Sequence, residues 1–251
     1  MFIKYIKSII VGFFIPVLIF ILWELSLSFN SSSYDSIAPP SAILSSFFSS
    51  ILDFSLFILT FQTLYCVIVG LCIGGLSGLI FGMLIGLIPT LSKLTIVPIE
   101  ILRTLPSVSL IPLFLIAFGF GYSIEVSIIS FSTFWPMLIL SQSAITNVDR
   151  QLVDVSRMLH LNFLKRIYKV YLPSITRRLI VALRLSMGIA LIVAVTVEIV
   201  VNPQGLGYGL VISQQSLNPA KMLAYLLWLG IIGWILNLAL SKIEYIFSYY
   251  E

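Results

Sequence analysis

Long apolar stretches alternate with short polar ones along this chain. The apolar runs fall near 9–27, 63–88, 94–118, 125–143, 175–201 and 222–247. A membrane-crossing helix needs roughly 20 such residues, so the pattern predicts an all-α membrane protein. It would be a single domain over 1–251 with about six transmembrane helices. The first run follows Lys4 and Lys7 and continues through Trp23-Glu24 to Leu27. It lacks a small-x-small cleavage site, which reads as an uncleaved first span rather than a signal peptide. Pro98, Pro106 and Pro112 interrupt the third run. Lys93, Glu100 and Arg103 therefore fit an interfacial helix ahead of a shorter crossing.

Two finer patterns sit on this frame. Residues 41–54 place Ile43, Leu44, Phe47, Phe48, Ile51 and Leu52 on one side and serines on the other. That spacing predicts an amphipathic helix at the outer interface. In the second run, Gly70, Gly74, Gly78, Gly82 and Gly86 recur at every fourth position. They line one slowly drifting helix face, where a neighbouring backbone can approach closely. Ala182, Ser186, Ala190 and Ala194 form a second stripe of small residues in the fifth run. Both stripes read as helix-packing surfaces.

Composition removes the soluble classes. With 59% hydrophobic and 10% charged residues, the chain cannot cover a water-facing surface. The net charge of +4 matters through its placement. Arg150, Arg157, Lys165, Arg166, Lys169, Arg177 and Arg178 make half of the 14 basic residues. Six crossings that start inside at Lys4 and Lys7 put this cluster, Lys93 and Lys242 in the cytoplasm. The outer segments then hold only Lys221, so the positive-inside rule predicts that both termini are cytoplasmic.

Catalytic and metal constellations are missing. There is no G-x-x-x-x-G-K phosphate loop, and the single histidine, His160, excludes H-E-x-x-H. Cys66 and Cys72 lie inside an apolar run with no zinc-site partners. The chain is therefore expected to be no enzyme and to hold no metal. Charged groups placed within spans are Glu24, Arg103, Arg184 and Glu198. Such residues are costly in lipid and are pathway candidates by default, although several stand near span ends, where snorkelling also explains them.

The basic loop at 147–174 carries the most specific signal. Asp154-Val155-Ser156-Arg157-Met158-Leu159-His160 is followed, after residues 161–171, by Leu172-Pro173. This resembles the EAA loop of binding-protein-dependent ABC transporter permeases, usually E-A-A-x-x-x-G with a later I-x-L-P. Asp, Val and Ser replace Glu, Ala and Ala, and His160 replaces the glycine. Histidine is among the residues that tolerate a left-handed backbone, so a helix–turn–helix survives. Asp154 would sit near the first helix's N-terminus, and Asn162 would cap the second helix. Arg103-Thr-Leu-Pro106 running on to Ile111-Pro112-Leu113, Phe118-Gly119-Phe120-Gly121, and Glu198 ahead of Gly205-Leu206-Gly207-Tyr208 are similar to the nitrate/sulfonate/taurine branch. So is Pro39-Pro40-Ser41.

The resemblance implies a type I ABC importer permease (MetI-like) bundle in the cell inner membrane of a prokaryote. Asp154, Val155, Ser156, Arg157, Leu159, His160, Leu172 and Pro173 would couple it to an ATPase. Arg103, Pro106 and Glu198 would be candidates for the pathway. Implied partners are ABC ATPase subunits that bind ATP-Mg, a second permease subunit (a homodimer), and an extracytoplasmic substrate-binding protein. The substrate would be a small anion or similar small nutrient. The rival is an ATP-independent carrier or channel, which would show inverted repeats. The glycine-rich second span has no such counterpart.

Overall fold

The computed structural model describes Ile15, residues 18–27 and residues 38–248. Every regular element among the described residues is helical. The order is α1 (Leu18–Leu27), α2 (Pro40–Leu52), α3 (Ser55–Leu87), α4 (Pro89–Arg103), α5 (Ile111–Phe118), α6 (Tyr122–Thr146), α7 (Arg150–Met158), α8 (Phe163–Arg166), α9 (Leu172–Val200), α10 (Gly205–Gln215) and α11 (Pro219–Ser248). Among the described residues, four helices are long and apolar enough to cross a membrane: Ser55–Leu87, Tyr122–Thr146, Phe163–Val200 and Pro219–Ile246. The first expected span lies partly outside the described residues; its described part is α1.

The third run is not one straight crossing. Residues Pro89–Arg103 and Ser107–Phe118 pass as a pair, bent by 77°. Pro106 stands at the bend with φ −64, and its missing N–H cannot continue the ladder from α4. α3 also starts earlier than its apolar run. Its 33 residues reach about 50 Å at 1.5 Å per residue, longer than the bilayer core.

The described residues divide into two compact units. One comprises those up to Leu59 together with Gly209–Gly230. In it, Ala38, Ile43 and Ala224 are buried against Trp23, Phe47 and Leu223. The Glu24 carboxylate accepts hydrogen bonds from the Ser41 hydroxyl (2.7 Å) and backbone N–H (3.1 Å). It therefore binds the first turn of α2, which satisfies a helix-start donor.

The other unit comprises Thr60–Tyr208 and the described residues from Ile231. Its centre is the pairing of α6 with α9, where Ala190 and Ala194 allow Ile124, Ile128 and Ile129 to close on Val193 and Val197. The glycine stripe of α3 faces α6. A Cβ on Gly70 would lie 2.6 Å from Ile129 Cγ2, and one on Gly86 would lie 2.9 Å from Ile145 Cβ. At Gly74, Gly78 and Gly82 it would run into the carbonyls of Ser130, Phe134 and Leu138. Lipid supplies no hydrophobic drive between helices, so this close backbone contact is what holds them.

Candidate functional site

The loop after α6 is a built structure. Asp149 caps α7 and its carboxylate accepts from Gln151 N at 2.9 Å. Asp154, expected near this start, lies in mid-helix instead and pairs with Arg157 at 3.2 Å on an exposed face. The N-terminal donors of α7 are within reach of position 149 and not of 154.

α7 ends in a Schellman turn. His160 takes φ +49, the left-handed backbone expected at that place. His160 N donates to Arg157 O at 2.9 Å, and Leu161 N donates to Ser156 O at 3.1 Å. The chain then enters α8 at Asn162. The Asn162 side chain makes no capping bond, contrary to expectation. Its carbonyl accepts from Arg166 N, and an Arg166 guanidinium nitrogen reaches Leu161 O. A π-helical turn over Ile167–Tyr171 joins α8 to α9. Such turns are frequent at functional sites. Leu172 and Pro173 open α9 without a break in helicity, so loop and membrane helix are mechanically continuous.

Among the motif residues, Ser156 is turned inward and only 1% exposed, with its hydroxyl on Val153 O. It is not part of the loop's exposed face. The surface is made by Leu152, Val155 and Leu159, joined by Met158, Phe163, Leu164 and Tyr168. Met158 is 78% exposed and Leu164 and Tyr168 are 76% exposed. Phe163 and Leu164 belong to the apolar face that the sequence offers after Asn162, whereas Met158 and Tyr168 escaped the sequence reading as surface residues.

The pathway candidates scatter. Arg103 ends α4 and Pro106 starts the following turn, both exposed. Arg184 is engaged by Asn237 (2.8 Å) and Glu244 (3.2 Å). Glu198 is buried at the far end of α9 from the loop. Its Oε1 accepts from the Thr63 hydroxyl at 2.6 Å and its Oε2 from Gly207 N at 2.7 Å. Thr63 Oγ1 in turn accepts from Leu206 N, and Gln62 Oε1 accepts from Gly205 N, both at 2.9 Å. The first three N–H groups of α10 are thus satisfied by side chains of α3 and α9. Gly205 has φ +83, and a Cβ there would collide with the Glu198 carboxylate. The glycines of this segment make room for the acid.

A second buried acid lies beside this knot. Glu125 of α6 is fully buried and accepts from Asn202 Nδ2 at 2.6 Å. Asn202 Oδ1 accepts from Gly121 N at 3.1 Å. Glu125 and Asn202 were not singled out from the sequence, because Glu125 opens an apolar run and reads as a boundary charge.

Comparison with known proteins agrees with this architecture. The chain is 28% identical over 222 residues to SsuC of Bacillus subtilis, a protein named for aliphatic sulfonates transport, covering 88% of this chain and 80% of the relative. It is 26% identical over 172 residues to the nitrate import permease protein NrtB of Leptolyngbya laminosa, covering 68% and 61%. The inward-facing MetNI methionine ABC transporter superposes with a TM-score of 0.64 at 19% identity, over 74% of this chain and 93% of that one. The fold is thus that of a MetI-type permease. A family model, the binding-protein-dependent transport system inner membrane component, matches residues 74–248. The chain belongs to that family, as an ABC transporter permease of its nitrate and sulfonate branch.

Proposed function

We propose that this chain forms the membrane pathway of an importer for a small anion of the nitrate or alkanesulfonate kind. In this reading it pairs with a second copy of itself, receives substrate from an extracytoplasmic binding protein, and is driven by separate ATPase subunits that bind ATP-Mg. Both termini and the 147–174 loop face the cytoplasm. The observation that carries the reading is the exposed apolar face of α7 and α8, set on a loop continuous with α9. Apolar groups this exposed beside basic residues call for a protein partner. ATP-driven closure of that partner would displace the loop and tilt α9 with it, biasing a two-state bundle.

The test is to tag the chain in its native host, purify the assembly and identify what accompanies it. The reading expects an ATPase, and uptake of nitrate or ethanesulfonate by membrane vesicles that stops when ATP is withheld. Uptake driven by an ion gradient without ATP would favour a secondary carrier and overturn the reading.

A further inference from the structure

The polar knot at the far end of α9 does more than satisfy buried groups. It joins α3 (Gln62, Thr63), α9 (Glu198) and the first turn of α10 through consecutive N–H donors. Both oxygens of Glu198 are occupied, each by a different element. Removing its carboxylate would take the acceptor from Gly207 N and cut the Thr63 bond that ties α3 to α9, while Leu206 N and Gly205 N keep Thr63 and Gln62. The neighbouring acid differs. Only Oε2 of Glu125 accepts a hydrogen bond from Asn202, while its Oε1 is buried with no donor upon it. An amide at position 125 keeps the one bond to Asn202 with its carbonyl and places its NH2 beside Cys66 and Gln204.

We propose that Glu198 is a positioning residue for transport, acting through Thr63 as a clasp. It locks the ends of α3, α9 and α10 into one lever, so that displacement of the loop at the other end of α9 reaches the far side of the pathway. Glu125 is a neighbour that the clasp does not need as a charge. The inference rests on the importer reading above and deepens it.

The experiment uses the tagged complex purified from its native host, with the exposed Cys72 changed to Ser and Ser123→Cys placed at the exposed start of α6. Two quantities are read: ATP hydrolysis, and the maleimide labelling rate of residue 123 with and without ATP plus vanadate. In the parent, the labelling rate changes on trapping by at least about fivefold, the scale of a typical coupling energy. Glu198→Ala and Thr63→Val keep hydrolysis but lose the labelling change. Thr63→Ser restores it, and Glu125→Gln retains both. The serine–valine pair at position 63 keeps the test valid if Glu198→Ala fails to assemble.

A labelling change that survives in Thr63→Val and Glu198→Ala overturns the clasp. So does loss of hydrolysis in step with labelling in Thr63→Val, which would mark a purely structural role. Glu125→Gln behaving like Glu198→Ala also overturns it. A parent complex that hydrolyses no ATP would instead sink the importer reading, and the clasp's role with it.

Discussion

The two ends of α9 treat polarity in opposite ways. At the Val200 end, acids, amides and a hydroxyl are buried and bonded across three or four elements. At the Leu172 end, charges stand in water and large apolar side chains stand exposed beside them. A buried polar network fixes the helices that it bonds together, here through Glu198 and Asn202, with one oxygen of Glu125 left over. An exposed apolar face is unfinished until something covers it. One end of the lever is bonded within this chain, and the other presents the uncovered apolar face proposed above to dock a second protein.

The contrast is broken most severely between these ends, where α3 meets α6. Gly78→Leu would drive a branched side chain into the Phe134 carbonyl and Met137. Forced overpacking of this kind costs about 3 kcal/mol, so detergent-solubilised protein should show a large fall in its thermal transition, or fail to assemble. Asn202→Ala comes next. It removes the donor on buried Glu125 and the acceptor for Gly121 N, at about 2 kcal/mol, read as a smaller shift in the same melt.

Changes at the loop end should be gentler on the fold and visible elsewhere. Met158→Glu puts a charge on a face that is already solvated, so the melt should move by less than about 0.5 kcal/mol. ATPase co-purification should nevertheless drop sharply. Asp154→Asn removes half of an exposed ion pair worth ~0–1 kcal/mol and should leave both melt and co-purification nearly unchanged. His160→Gly should be the mildest, because glycine adopts the same left-handed backbone without strain; its melt should match or exceed that of the parent.

How far these regions can be read from sequence follows from the range of the interactions. The glycine stripe and the left-handed place of His160 are local patterns, set by helix periodicity and by a turn of a few residues. The bend after α4 is equally local, since three prolines announce it. The clasp is not local: Thr63 meets Glu198 across 135 positions, and no periodicity connects them. In sequence Glu198 stands as a costly charge inside a span and as the acid ahead of Gly205-Leu206-Gly207; its partner Thr63 became visible only when folding brought three helix ends together. Asp154, expected near the start of α7, lies in mid-helix because the helix already begins at Arg150, behind the cap Asp149.

Cross-linking from the loop measures its proposed docking onto an ATPase most directly. In a chain with Cys72→Ser, a cysteine at Met158 is treated in native membranes with a short maleimide–succinimide reagent, and a cysteine at Ser123 serves as the control. Cross-linking of residue 158, and not of 123, to an ATP-binding polypeptide, in a yield that changes when ATP plus vanadate is present during the reaction, is the predicted result. Equal labelling of both positions with no ATP-binding adduct, or a residue 158 that reacts only from the outer face, would contradict it.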